Sequence, residues 1–167
     1  MLLIKRQLLI VFLIVSSVAI AQKSAIYTSD LQDYQKALTI YNNKQYKAAQ
    51  SLFDDIKYNT DDVTFQSDCA YYIANCAVRL NQRNADDLVA EFVEEYPTST
   101  KRNTAFLDVA DYYFNNGKYA YARKWYKKVD EVSIARLEKE RFNFNYGYSL
   151  YSTKSEKKAT KYLNRVV

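Results

Sequence analysis

The sequence predicts an all-α fold of four stacked helix–turn–helix repeats, and three observations carry that prediction. Four alanines recur at intervals of 36, 37 and 37 residues, namely Ala49, Ala85, Ala122 and Ala159, and a fixed period of this length is typical of repeat architectures. The apolar residues that follow each alanine keep the spacing of a helix buried along one face. Only two glycines and one proline occur in 167 residues, which is too few for the turns of a strand-rich fold. A single irregular helical bundle is the alternative that this pattern leaves open.

Each repeat contains a helix A, a tight turn and a helix B. The four repeats cover about residues 30–60, 62–97, 101–132 and 134–167. Helix A is expected at about 30–41, 63–80, 101–115 and 134–151, and helix B at about 45–58, 84–96, 119–130 and 155–165. Pro97 ends the second repeat because it disfavours helical geometry at Tyr96 and has no backbone N–H to donate. The small alanine of each helix B lets helix A approach closely.

The pattern resembles the tetratricopeptide repeat, a helix–turn–helix unit of 34 residues. The alanine column matches the signature alanine of helix B, and the large apolar position four residues later is Phe53, Val89, Tyr126 and Leu163. The signature small residue of helix A is Ala37, Ala74 (or Ile73), Ala110 and Gly147. The resemblance covers about residues 30–167 and implies a right-handed α-solenoid. The connection from Tyr96 to Thr100 is similar to that in envelope proteins such as the TolA-binding cell-division coordinator and outer-membrane-assembly lipoproteins.

The N-terminal segment has the three parts of a secretory signal peptide. Lys5 and Arg6 precede an apolar run of 14 residues, 8–21, which ends in the small residues Ala19 and Ala21. The run is shorter than the roughly 20 residues that span a bilayer, so we expect cleavage near Ala21, with retention as an anchor as the alternative. Residues 1–21 are thus interpreted as a signal-peptide helix and 22–29 as a linker. The chain is expected to be exported to the periplasm or the outer membrane. We expect it to contact a membrane only through this segment or through a partner.

The composition argues against an enzyme and against a nucleic-acid-binding protein. The net charge of +5 is spread over interspersed basic and acidic residues, which indicates solubility rather than a basic binding surface. The absence of histidine from the sequence argues against zinc, haem and histidine-based catalysis. Four pairs of adjacent acidic residues occur, at 54–55, 61–62, 86–87 and 94–95, but neighbours on a helix point about 100° apart and do not converge on one substrate. We therefore expect neither catalysis nor a cofactor.

The two cysteines lie seven residues apart on one expected helix. That spacing separates Cys69 and Cys76 by about 10 Å along the helix axis, which is too far for a disulfide between them. They are interpreted as small buried apolar residues, with an intermolecular disulfide as the alternative.

Tyrosine and asparagine are the candidate binding residues, because 17 tyrosines occur in this one chain. The resemblance implies that helix A lines the concave side of the array. The residues expected on that side are Tyr34, Tyr41, Asn42, Tyr71, Tyr72, Asn75, Asp111, Asn115, Asn145, Tyr148 and Tyr151. Tyrosine offers rigid contact area and asparagine offers hydrogen bonds to an extended peptide. The family's basic clamp for a C-terminal carboxylate is not matched here.

The sequence therefore predicts a non-enzymatic protein–protein interaction scaffold of the bacterial cell envelope, which binds a peptide or protein on its concave face. The alternative is a structural segment of a longer array that acts by end-to-end stacking, for example in outer-membrane assembly or secretion. Because the chain stops at Val167 in the last turn of a helix B, with no polar capping helix after it, we expect the array to be the N-terminal part of a longer one. Further repeats are then among the expected partners, since the ends of a solenoid normally need a cap.

Overall fold

The computed structural model describes residues 30–166, and this part of the chain is all-α, with eight helices and no strand. Helix α1 covers 30–42. The others are α2 (Tyr46–Asn59), α3 (Val63–Arg79), α4 (Ala85–Glu95), α5 (Arg102–Asn115), α6 (Tyr119–Tyr126), α7 (Arg136–Ser152) and α8 (Glu156–Leu163). The expected signal peptide and linker lie outside the described residues. Within residues 30–166, no helix combines the length and the apolar composition that a membrane crossing requires.

All helix bounds agree with the sequence-based ones within two residues, except the end of α6. This helix was expected to reach Asp130 but ends at Tyr126. The backbone N–H groups of Lys128 and Val129 form tighter three-residue turns. The backbone of Asp130 then pairs with the side chain of Asn103, which donates to its carbonyl and accepts from its N–H. Because Asn103 satisfies these backbone groups, the segment does not need to remain helical.

The same turn closes each of the four helical hairpins. One residue of every turn has positive φ: Lys44 (61°), Asn81 (54°), Gly117 (71°) and Lys154 (58°). In each turn the positive-φ residue donates its N–H to the carbonyl three residues back, and the next residue donates to the carbonyl five residues back. These two bonds define the Schellman motif, in which a left-handed residue ends a helix. The positive-φ residues recur 37, 36 and 37 residues apart. Each of them lies five residues before an alanine of the column, except Asn81, which lies four residues before Ala85.

Glycine should be the best residue at all four turns. A lysine in the left-handed region costs roughly 1 kcal/mol relative to glycine. Replacing Lys44 or Lys154 by glycine should therefore raise the free energy of unfolding by about 0.5–1 kcal/mol each. Gly117→Ala should lower it by about 1 kcal/mol, by conformation alone, since a Cβ added there meets nothing within 4 Å. Denaturant unfolding of the three variants would measure this, and an unchanged Lys154→Gly midpoint would contradict it.

Helices that are neighbours in the sequence pack against one another. We call α1, α3, α5 and α7 the A helices and α2, α4, α6 and α8 the B helices. Each of α3, α5 and α7 packs against its own B helix and against the preceding B helix. The A helices α3, α5 and α7 also contact one another in succession, and α1 shares a buried cluster with α2 and α3 through Tyr34 and Ala37. The core therefore consists of three clusters of buried apolar residues that lie between neighbouring helices.

Two columns of small residues hold the hairpins together. The B-helix alanines are buried with at most 3% exposure. Exactly seven residues before each turn, the A helices carry Ala37, Ala74, Ala110 and Gly147, all of them buried. This register selects Ala74, rather than Ile73, as the counterpart of Ala37. At Gly147, an added Cβ would lie 2.9 Å from Leu163 Cδ2 and 3.2 Å from the Leu163 backbone nitrogen, so the expected close contact between helix A and helix B is confirmed.

Enlarging Gly147 should therefore destabilise the last hairpin. We expect Gly147→Ala to lower the free energy of unfolding by about 1–3 kcal/mol through overpacking. Because Leu163 provides the clash, Leu163→Ala should cost less in the Gly147→Ala background than in the natural chain. A double-mutant cycle by denaturant unfolding measures the difference, and strictly additive effects would show that the contact is not tight.

Cys69 and Cys76 of α3 are free and fully buried. They pack in the cluster that joins α1, α2 and α3, which confirms their interpretation as small apolar residues. Burial raises the pKa of each thiol from its ordinary 9.0 to about 12, because the thiolate would lose its hydration.

Candidate functional site

Polar side chains join successive A helices at intervals of one repeat. The hydroxyl of Tyr34 donates to Asp68 Oδ2 at 3.0 Å, and that of Tyr41 donates to Asn75 Oδ1 at 3.0 Å. Both pairs are separated by 34 residues. We call the surface on which these bonds lie the A-helix face, which comprises the eleven residues predicted from the sequence and the cleft described below.

Asp108 of α5 joins two buried donors of α3. Its Oδ2 accepts from the hydroxyl of Tyr71 and from Asn75 Nδ2, the latter at 3.3 Å. Both donors are more than nine-tenths buried. Burial raises the pKa of Tyr71 far above its ordinary value, and the charge of Asp108 raises it further. This phenol therefore remains a neutral donor to the carboxylate.

Asp111, one turn further along α5, makes the corresponding connection to α7. Its Oδ1 accepts from the hydroxyl of Tyr126 and from Asn145 Nδ2, the latter at 3.0 Å, while its Oδ2 pairs with Arg141 at 3.2 Å. Burial, followed by the charge of Asp111, raises the pKa of Tyr126 well above its ordinary range. Asp111 thus links three elements: its own helix, α6 and α7.

The eleven predicted residues fall into three groups by exposure. Buried are Tyr34, Tyr71, Asn75 and Asn145. Partly buried are Tyr41, Tyr72 and Asp111, and exposed are Asn42, Asn115, Tyr148 and Tyr151. The buried members are engaged in contacts between helices, which leaves the exposed ones free to meet a partner.

A cleft of about 280 Å³ opens on the A-helix face between α3, α5 and α7. It is lined by Arg79, Asp108, Asp111, Tyr112, Asn115, Arg141 and Asn145. Three of these were predicted, and four were missed: Arg79, Asp108, Tyr112 and Arg141. The register of the turns could have found two of them. Arg79 is two residues before its turn, like Asn42 and Asn115, and Asp108 is nine residues before its turn, like Asn145.

Arg79 is the unusual residue of this cleft. Its guanidinium lies 5.4 Å from the ring centroid of Tyr41 and 5.6 Å from that of Tyr46, an arrangement that favours a cation. Its Nη1 is buried and has no hydrogen-bond acceptor in the described part of the chain. A buried N–H without an acceptor is costly and is rare in folded proteins.

No family model matches this chain, and no curated protein matches it. Its functional assignment therefore depends on the geometry of the A-helix face.

Proposed function

We propose that this chain is a tetratricopeptide-type α-solenoid that acts as a non-enzymatic protein–protein interaction scaffold of the bacterial cell envelope. The observation that carries the proposal is the cleft on the A-helix face, whose lining includes Arg79, Arg141 and the exposed Asn115. The four equal turns, the two columns of small residues and the packing of each hairpin on the next support the repeat architecture.

The chemistry of the cleft suits an extended peptide. Arg141 lines the cleft and is exposed, and its guanidinium can donate to a peptide carbonyl or carboxylate. Tyr112 contributes a partly buried ring, and its hydroxyl lies 3.4 Å from the Arg79 carbonyl. The exposed amide of Asn115 can both donate and accept, as a peptide backbone requires. Asp108 and Asp111 balance the two arginines, so we expect selection by hydrogen bonding rather than by net charge.

Export is the second part of the proposal and rests on the N-terminal sequence. Cleavage near Ala21 would release a chain that begins at Gln22. N-terminal sequencing of the protein from an envelope fraction checks this, and an intact Met1 terminus would favour the anchor instead.

Site-specific photo-crosslinking tests the binding face. A photoreactive residue at Asn42 or Asn115 should give the same discrete adduct in cells. The matched control places it at Lys47 or Ser51, exposed residues on α2, where we expect no such adduct. Equal adducts from both sets would remove the A-helix face from the proposal.

The alternative function, a structural segment that stacks end to end, is favoured by one observation. Helix α7 exposes Phe144, Tyr148 and Tyr151 to solvent, although large apolar side chains rarely gather on a free surface. Sedimentation would separate the two functions, because a chain that stays monomeric weakens stacking between copies and leaves peptide binding unaffected.

A further inference from the structure

The B helices lie side by side in the order α2, α4, α6 and α8. One ion pair joins each of them to the next, the last pair lying just beyond the ends of α6 and α8. The pairs are Lys57–Glu95 at 3.1 Å, Lys124–Asp86 at 2.7 Å and Arg165–Glu131 at 3.0 Å. The outward side chains of the four B helices therefore belong to one surface.

The outward positions are those two, five and six residues after each alanine of the column. At about 100° per residue, they lie on the side of the helix opposite the buried alanine. All twelve side chains at these positions are exposed, in the two middle hairpins as well as in the first and the last. We call these twelve positions the B-helix face. Because the middle hairpins expose it despite having neighbours on both sides, a hairpin packed at either end of the array leaves this face open.

The B-helix face is divided by charge. In the first two hairpins its positions hold four acidic residues and no basic one, and in the last two they hold five basic residues and no acidic one. The acidic half is Asp54, Asp55, Asp87 and Glu91, and the basic half is Lys124, Lys127, Lys128, Lys161 and Arg165.

The complete helices have the same division of charge. Residues 46–59 and 85–95 contain two Lys and seven Asp or Glu, a formal net charge of −5. Residues 119–129 and 156–166 contain eight Lys or Arg and one Glu, a formal net charge of +7. The sign of the surface therefore changes between α4 and α6.

Most charges of the B-helix face have no opposite charge beside them. Of the nine side chains, only Lys124 and Arg165 form an ion pair within the described residues. Like charges lie four residues apart in Asp87 with Glu91 and in Lys124 with Lys128, a spacing at which they repel each other. An opposite charge on another molecule would relieve this repulsion in both halves.

A second copy of the chain supplies both kinds of charge at once. If a two-fold axis runs between α4 and α6, α4 of one copy faces α6 of the other, and α2 faces α8. Each acidic half then lies on a basic half, and the interface closes on itself. A parallel alignment would place like charges together, and a partner of a single charge would match only one half.

Two exposed tyrosines add apolar contact area to this surface. Tyr58 of α2 is 89% exposed and Tyr121 of α6 is 54% exposed. They lie nine residues after Ala49 and one residue before Ala122, which places them on the same side of their helices as the B-helix face. Exposed ion pairs alone stabilise little, whereas tyrosine rings are common contact residues at protein interfaces.

We propose that two copies of this chain associate in an antiparallel arrangement through the B-helix face, with the acidic half of each copy on the basic half of the other. This association shares no residue with the A-helix face and does not depend on the function proposed there. It also differs from end-to-end stacking, which would use the ends of the array rather than the outward side of its B helices.

Sedimentation equilibrium of the full chain measures the association. A dimer should form at low salt, and its dissociation constant should rise at least about 10-fold between about 0.01 M and about 1 M salt. The reason is that the distance over which exposed charges act falls from about 30 Å to about 3 Å over this range. Stacking through apolar ends would persist at high salt.

Two charge-reversed variants assign the association to the B-helix face. Asp55→Lys with Glu91→Lys cancels the net charge of the acidic half, and Lys127→Glu with Lys161→Glu removes most of that of the basic half. Each double variant alone should associate at least about 10-fold more weakly than the natural chain. An equimolar mixture of the two should regain the association. One contact of the mixed dimer joins two unaltered halves, and the other joins reversed charges to reversed charges.

The matched control changes the net charge by the same amount on the A helices. Asp33→Lys with Glu140→Lys alters exposed residues of α1 and α7 and should leave the association nearly unchanged. Circular dichroism of each variant confirms that it is folded. Four results would overturn the proposal: a chain that stays monomeric at low salt, association that persists at high salt, equal loss in the control, or a mixture that associates no better than its components. The second would assign the association to the apolar ends of the array.

Discussion

Replacing both Asp108 and Asp111 by alanine should lower the free energy of unfolding by at least about 4 kcal/mol, since each carboxylate leaves two buried donors without an acceptor at about 1–3 kcal/mol per donor. The donors are Tyr71, Asn75, Tyr126 and Asn145. A loss of this size is comparable to the whole stability of an ordinary domain, so we expect the double variant to be largely unfolded at room temperature.

The single variants keep the effect measurable. Asp108→Ala and Asp111→Ala should each lower the free energy of unfolding by at least about 2 kcal/mol in a denaturant titration. The matched control is the double replacement of Asp54 and Asp55, exposed residues on α2, which should cost less than about 0.5 kcal/mol. A loss in the α5 variants no larger than in the control would show that the bonds between A helices do not stabilise the fold.

The second large effect is unfolding by alkali. Burial raises the pKa of Cys69 and Cys76 to about 12, and it raises the pKa of the buried tyrosines, among them Tyr71 and Tyr126, well above their ordinary 10.0. The unfolded chain ionises at the ordinary values, so it binds fewer protons than the folded chain at high pH. The stabilisation is fully present below pH 9, is lost progressively from pH 9 as the thiols ionise, and falls faster above pH 10 as the tyrosines join.

Urea titrations at pH 8, 9, 10 and 11 measure this loss. The thiol contribution can be separated with a variant in which both cysteines are alanine. Its stability should decline less between pH 9 and 10 than that of the natural chain, whereas the decline above pH 10 should persist. A midpoint that stays constant from pH 8 to 11 would show that these groups are not buried as described.

Much of the fold could be predicted from periodicity. The small residues of both helices are required wherever two helices approach closely, so they mark the hairpins directly. The boundary at Pro97 was predictable for a covalent reason, since proline cannot continue the hydrogen-bonding pattern. The end of α6 was not, because it depends on Asn103, a residue of another helix whose proximity no local pattern reveals.

The candidate site was harder to predict because tyrosine serves two purposes. Its ring can be buried while its hydroxyl still needs a partner. For Tyr34 and Tyr71 that partner is an aspartate of the next A helix, and the sequence does not show which tyrosines have one. Asp86 likewise belongs to one of the four pairs of adjacent acidic residues, and it accepts from Tyr113 at 2.9 Å and from Lys124 at 2.7 Å. Pairs of this kind, between residues far apart in the sequence, can be assigned only when the positions of the turns show how neighbouring helices align.

Binding of a protein partner to the A-helix face can be measured by calorimetric titration of the crosslinked partner against two matched variants. Asn115→Lys adds a charged side chain at the cleft, and Ser51→Lys adds the same side chain at an exposed site on α2. We expect Asn115→Lys to weaken binding at least about 10-fold and Ser51→Lys to leave the Kd unchanged. Unchanged binding by Asn115→Lys, or an equal loss in both variants, would show that the partner does not bind this face.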